Sequence, residues 1–367
     1  MDDAWRARIL DPPLQTAGHP GTGGRIRRRP QDFRVEEVPA YAPDGQAGAH
    51  LLLTMTKREL SSEDVAQLLA KHLGIDRREL GMAGRKDRVA VTTQWMSVPA
   101  AAGPKLASFS HPQIELGPPQ PHGNKLRTGH LHGNRFTLVI RELAVTPRQA
   151  AARAQTVLDA LVADGGLANF YGPQRFGREG HQLDRGLVAL RAGRPGRRGN
   201  LVVSAGQSAL FNLTALLRRD RGQWRTVLAG DLLRKVATGG MFECTDPVED
   251  QARFDAGELR MTGPMFGSRM RGPSEGTPSA ALEAEALALA GVEPSALAGL
   301  GRKAAGTRRP LTLPVEQWQA EPAPAVPEAQ LGPGLCVRFM LPAGSYATQL
   351  CREVMGDDQQ PANIDPD

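Results

Sequence analysis

Ala83-Gly84-Arg85-Lys86-Asp87-Arg88-Val89-Ala90-Val91-Thr92-Thr93-Gln94 sets one carboxylate among three cations and follows it at once with residues of strand character. The flanking Arg85, Lys86 and Arg88 favour the ionised carboxylate at neutral pH, so Asp87 is a candidate nucleophile that needs no separate base. Gly84 lets the chain turn just before it, and Val89, Val91, Thr92 and Thr93 favour an extended segment just after it. Asp87 is thereby expected where loop meets strand, a frequent position for reacting groups. The same triplet also fits a solvated ion cluster in a surface turn, and the rest of the chain has to decide between the two.

Over the whole chain, 45 Lys and Arg against 39 Asp and Glu give a net charge of +6 and a pI near 9.5. Such a chain is drawn to polyanions, nucleic acid first among them, although a solubility device would also account for a modest excess. The basic residues cluster at Arg25-Ile26-Arg27-Arg28-Arg29, from Arg191 to Arg198, and at Arg302-Lys303 with Arg308-Arg309, as phosphate-contacting patches do. A length of 367 residues with 40% hydrophobic content suggests two globular domains. Cys244, Cys336 and Cys351 are odd in number and lack metal-ligand spacing, which argues against a disulfide framework or a zinc site and for a reducing compartment. The start, Met1-Asp2-Asp3-Ala4-Trp5-Arg6, has no basic segment leading into an apolar core, and Leu201 to Leu217 is interrupted by Ser, Gln and Asn. A cytoplasmic protein without membrane association is expected.

Phe33, Val35 and Val38 mark one strand, and Leu51, Leu53 and Met55 one face of the next, with a turn at Pro43-Asp44-Gly45. Ser61 and Asp64 open a capped helix that carries Val65, Leu68, Leu69 and Leu73 and ends near Gly74. A strand to about Val98 is followed by a Pro-, Gly-, His- and Lys-rich loop over 100–128, expected to be mobile and to face the partner. Phe136, Leu138 and Ile140 give a strand, Thr146-Pro147 starts a helix that stops at Asp164-Gly165-Gly166, and Ala205 to Leu217 is a second helix. Pro264 to Ser279 reads as loop, Ala281 to Ala290 as helix, Glu321 to Gly334 as a Pro-rich linker, Leu335 to Leu341 as strand and Ser345 to Met355 as helix. Residues 1–24 and 357–367 read as flexible ends.

A second dense segment is Asn169-Phe170-Tyr171-Gly172-Pro173-Gln174-Arg175-Phe176-Gly177. Rings beside amides and a guanidinium suit an unpaired nucleobase, with stacking, edge reading and phosphate contact in one place; an interdomain corner packed by the rings is the alternative. Phe33, Phe136 and Tyr346 stand in similarly polar company. His122, His130 and His132 lie close in sequence, but nothing stands at ligand spacing beside them, so phosphate contact or a plain surface position is expected in preference to metal.

Seven segments carry a more specific signal: Asp32-Phe33-Arg34-Val35-Glu36-Glu37; Ala83 through Gln94; Gly133-Asn134-Arg135-Phe136-Thr137; Asn169 through Gly177; Ser204-Ala205 with Ser208-Ala209-Leu210-Phe211-Asn212; Thr262-Gly263-Pro264-Met265-Phe266-Gly267; and Leu341-Pro342-Ala343-Gly344-Ser345-Tyr346-Ala347-Thr348. In this order they resemble the TruD family of tRNA pseudouridine synthases, over about residues 30 to 355. The resemblance implies an α+β fold: a pseudouridine synthase catalytic domain with a mixed, mostly antiparallel sheet, formed by residues 1–169 and 314–367 and interrupted by an inserted α/β domain at 170–313.

The same resemblance implies that tRNA is the substrate, with the uridine at position 13 as the usual target, and that Asp87 is the catalytic aspartate. The glycosidic bond breaks, the uracil turns in place, and carbon 5 rejoins the ribose; an adduct on ribose, an adduct on base and a glycal all remain open. The product is an isomer, so no cofactor and no metal are expected, and neither a Gly-rich phosphate loop nor a dinucleotide fingerprint occurs. Because the uridine must leave its stack, Phe136 is expected to stack on the base and Asn134 to bond its edge or the ribose. Phe33, Tyr171 and Tyr346 are expected to line the pocket, Lys86 to pair with Asp87 or a phosphate, and Arg88 and Arg175 to meet the RNA backbone. Tyr171 and Tyr346 stand where related sequences often carry Phe, and Lys57-Arg58-Glu59-Leu60-Ser61 departs from the usual Asn and Thr. The expected state is a monomer with no obligate protein partner. A non-catalytic tRNA-binding protein, a glycosylase that releases uracil and a basic metabolic enzyme are the competing readings.

Overall fold

The computed structural model describes residues 1–46, 48–84, 86, 88–194 and 200–356, and these fall into two compact units. Among the described residues one unit comprises 16–160 with 314–356, the other 1–15 with 161–313. Asp87, the expected nucleophile, and Arg85 lie outside the described residues.

The first unit is built on a sheet that contains nine strands among the described residues. They are β1 (Phe33–Pro39), β2 (His50–Arg58), β3 (Gly81–Met82), β4 (Val91–Pro99), β5 (Ile114–Leu116), β6 (Gln120–His122), β7 (Leu131–Ile140), β8 (Glu316–Ala323) and β9 (Gly334–Pro342). The spatial order is β8-β9-β7-β1-β4-β2-β5, with β3 beside β4 and β6 beside β2. Among the described residues only the β1–β4 pairing is parallel, so the sheet is mixed and mostly antiparallel. Phe33, Val35 and Glu37 of β1 turn inward while Arg34 and Glu36 stay exposed, as a period of two requires. The helix Ser62–Leu73 covers one end of the inward face. Ser61 and Asp64 close a capping box at its start, and Gly74 ends it at φ 70°, a left-handed conformation that glycine adopts without a Cβ clash. Val65, Leu69 and Leu73 pack on Leu53, Met55, Met96 and Val98; full burial of each such side chain contributes roughly 1.5–3 kcal/mol.

Residues 100–128 are not a bare loop: the short helix Gly103–Leu106 and strands β5 and β6 lie within them. Both strands are only three residues long and form because the edge of β2 offers them a ladder. Likewise β8 extends into the Pro-rich segment as far as Ala323.

Among the described residues the second unit has a four-stranded antiparallel sheet, ordered Met241–Glu243, Leu232–Lys235, Leu259–Met265, Thr307–Pro310. Helices His181–Arg191, Asn200–Asp220 and Pro278–Ala290 complete an α/β arrangement. The first two approach closely at glycines: a Cβ on Gly186 would lie 2.3 Å from the backbone nitrogen of Gly206. Two buried ion pairs, Arg218–Asp231 at 2.6 Å and Arg308–Glu283 at 2.7 Å, cross its interior. Burial pushes the Glu283 carboxyl upward, and the Arg308 guanidinium opposes that shift.

The N-terminal residues are not a flexible end. Asp3–Leu10 is a helix, capped by Asp2 through the Trp5 amide at 2.9 Å. It belongs with the second unit. Arg6 bonds Asp184 at 2.8 Å, Ile9 is wholly buried, and the Asn212 amide donates to the Ile9 carbonyl at 3.0 Å. No described helix is long and apolar enough to cross a membrane.

Candidate active site

Residues directly opposite one another on paired strands share a face, and this register gathers three of the expected site residues. Phe33, Val35 and Glu37 of β1 oppose Leu138, Phe136 and Asn134 of β7, which oppose Val337, Phe339 and Leu341 of β9. Phe33 and Phe136 are 2% and 6% exposed. Phe136 stacks on Phe339 with centroids 5.2 Å apart, and Trp318 continues the stack at 6.0 Å. The Arg27 guanidinium sits 4.2 Å from the Phe33 ring centroid, a favourable arrangement for a cation over a ring face.

The backbone before Asp87 is tied to this face by a chain of hydrogen bonds. The Gln94 amide nitrogen donates to the Gly84 carbonyl at 3.4 Å, and the Ser62 hydroxyl donates to Gln94 Oε1 at 2.7 Å. That same hydroxyl accepts from the Lys86 backbone N–H at 3.1 Å. The Lys86 ammonium lies 2.6 Å from Glu37 Oε2, both side chains almost fully buried, and the second carboxylate oxygen accepts from the Trp95 amide at 3.2 Å. The sequence points Lys86 toward Asp87 or a phosphate; its described partner is Glu37, from the strand that carries Phe33. Arg88, on the other side of Asp87 in the sequence, is exposed.

Asn134 brings an amide to the same face, and its Oδ1 is buried with no hydrogen-bond partner among the described residues. Leaving such an acceptor unpaired costs about 1–3 kcal/mol, so the position favours a donor from a bound molecule. Tyr346 is half-buried and is the residue before the helix Ala347–Met355. The turn from β9 into it places Gly344 at φ 78°, a conformation a side chain would strain.

Tyr171 and Arg175 belong to the second unit. Tyr171 is 6% exposed, with the Arg309 and Arg175 guanidinium carbons 4.3 and 5.4 Å from its ring centroid. Arg175 donates to the hydroxyls of Ser208, at 2.9 Å, and Ser204. The Asn169 carboxamide bonds Arg309 and the Pro310 carbonyl.

Sequence reasoning misses Glu37, Ser62, Gln94 and Lys57. Glu37 stands two residues beyond Val35 on the inward face of β1, and the wholly buried Lys57 stands two beyond Met55 on β2. A charge that continues an apolar alternation is a signal in itself, because buried charges need partners. Ser62 and Gln94 give no such signal: their roles come from pairing across 32 residues of sequence.

A family model described as tRNA pseudouridine synthase D (TruD) matches residues 11–188 and 195–354. The chain is 42% identical over 356 residues to the tRNA pseudouridine synthase D of Anaeromyxobacter sp. (strain Fw109-5), across 95% of this chain and 97% of that protein. It is 40% identical over 349 residues to a protein of that name from Thermus thermophilus, across 94% of this chain and 92% of that protein. A crystal structure of a TruD protein from Methanosarcina mazei shares the fold, with a TM-score of 0.76 at 22% identity over 95% of this chain and 97% of that one.

Proposed function

Because this chain belongs to the TruD family and is a tRNA pseudouridine synthase, an isomerase, we propose that it acts on the uridine at tRNA position 13 with Asp87 as nucleophile. The choice of Asp87 is carried by the anchored backbone before it, fixed through Lys86 to Glu37 on the face that presents Phe33, Asn134 and Phe136, and position 13 follows from the family resemblance. With Lys86 paired to Glu37, Arg85 and Arg88 are the cations that the sequence leaves beside Asp87 to keep a carboxylate available for attack.

In the proposed reaction the uridine leaves its stack and meets the ring of Phe136, backed by Phe339. Asn134 Oδ1 accepts a hydrogen bond from the uracil N3–H. The bond from ribose C1′ to N1 breaks, the base turns, and C5 bonds to C1′; the proton lost from C5 is balanced by the proton gained at N1. Phe33 and Tyr346 flank the base, and Tyr171, Arg175 and Arg88 meet the RNA. The protein works as a monomer in the cytoplasm.

The test incubates unmodified tRNA transcripts with the wild type and with Asp87→Asn and maps pseudouridine at single-nucleotide resolution. Product at position 13 with the wild type alone is expected. Product elsewhere overturns the position, and an active Asp87→Asn variant overturns the nucleophile.

A further inference from the structure

Beyond the candidate reacting face, Tyr41, His122, Asn124, Lys125, Arg127 and His130 line an open cavity of about 470 Å³ where β1 runs out and β7 begins. The volume falls within the range of about 300–1,000 Å³ usual for small-ligand pockets. Its rings are fixed by one another: Tyr41 stacks on His122 at 5.4 Å and 14°, and meets the edge of His130 at 5.5 Å. His122 is 7% exposed and held by Asp44, whose Oδ2 lies 3.2 Å from Nδ1. The Tyr41 hydroxyl lies 2.7 Å from His130 Nδ1, which also accepts the Arg127 backbone N–H at 3.4 Å. With Nδ1 accepting, the neutral ring carries its proton on Nε2, where it serves as a donor.

The charge of this pocket is one-sided. Among the described residues no carboxylate pairs with Arg127 or Lys125, whose ammonium donates to the Arg78 carbonyl. Asp44 is not among the residues that line the cavity, and its backbone N–H donates to His122 Nδ1 at 3.3 Å. The loop that bears the cations is pinned twice to the sheet: the Leu126 amide donates to Ser97 Oγ at 2.9 Å, and the Gly129 amide to the Ala83 carbonyl at 2.8 Å. The second bond ends one residue before Gly84, at the start of the segment that leads to Asp87.

Aromatic surface, an amide and two uncompensated cations are the groups that hold one nucleotide of unpaired RNA. We propose that this pocket is a second tRNA subsite, which takes a nucleotide other than the isomerised uridine: Lys125, Arg127 and His130 Nε2 on its phosphate, Tyr41 and Asn124 on its base. The proposal rests on the tRNA reading above.

The test measures binding of unmodified tRNA against salt, together with single-turnover pseudouridine formation at saturating enzyme. Arg127→Glu, at an exposed side chain, and the pair Lys125→Ala with Arg127→Ala are each expected to weaken binding about 10-fold or more. They also flatten the slope of log Kd against log salt by about 1 for each phosphate no longer neutralised. Tyr41→Ala weakens binding about 10-fold by removing the stacking surface and leaves the slope unchanged. Arg127→Glu leaves the Lys125–Arg78 bond in place and so decides the matter should the Lys125 variant fail to fold. A folded Arg127→Glu variant with wild-type affinity and slope, from an enzyme that does form pseudouridine, overturns the subsite and leaves the proposed function standing. A wild type that forms no pseudouridine overturns the function and, with it, the subsite.

Discussion

The buried Lys86–Glu37 pair makes a quantitative demand. At 2.6 Å and an effective dielectric near 20, the gross attraction is about 6 kcal/mol, most of it offset by taking both charges out of water. Lys86→Met removes the ammonium but leaves the Glu37 carboxylate buried, with the Trp95 amide as its described donor. Breaking one side of such a pair costs about 3–5 kcal/mol. With a urea m-value of about 2–3 kcal/mol per M, the unfolding midpoint of the first unit falls by about 1–2.5 M. Trp95 and Trp318 both lie in that unit, so fluorescence reports its transition, and variants that remove Trp5 and Trp224 isolate the signal. Adding Glu37→Gln to Lys86→Met removes the stranded charge and recovers half or more of the loss. A midpoint within about 0.2 M of wild type, or a double-mutant coupling below about 0.5 kcal/mol, is the behaviour of an exposed pair and contradicts a coupled, desolvated one.

Asn134→Ala removes a buried acceptor that has no described partner. It is expected to lower kcat/KM for pseudouridine formation about 10- to 100-fold, the equivalent of one hydrogen bond of about 1.5–3 kcal/mol to the reacting base, without lowering the melting temperature; a stability loss with unchanged kinetics rules the role out. The three thiols are all buried, and burial pushes Cys244 and Cys351 up to about 12. Because the thiolate is the reactive form, a thiol-reactive dye at pH 8 is expected to label none of the three until urea unfolds the chain, and prompt labelling of Cys244 or Cys351 in the native protein contradicts that burial.

What the sequence discloses follows from how local each signal is. The alternation of Phe33 and Val35, and the Ser61-to-Gly74 helix with both its caps, lie within single elements and read directly. The helix His181–Arg191 escapes notice because Gly186 stands in its interior, where glycine is disfavoured; the residue is there for the close approach of Gly206. The helix Asp3–Leu10 escapes notice because its hold comes from Asp184 and Asn212, far along the chain. The candidate site divides in the same way. Phe33, Asn134, Phe136 and Asp87 can be named from their segments. That Phe33, Asn134 and Phe136 share one face depends on a strand register, and that Lys86 is held by Glu37 depends on a contact between two segments that no single segment announces.

The ties that fix the backbone before Asp87 span very different stretches of chain: 10 residues to Gln94, 24 to Ser62 and 49 to Glu37. Contacts of long separation form only after the chain entropy of bringing distant segments together has been overcome. The helix Ser62–Leu73 can form early from its own caps, but the Lys86 anchor needs β1, that helix and β4 already in place. During refolding, the Lys86 anchor therefore forms behind local secondary structure, and the interval between the two reports when β1 docks beside β4.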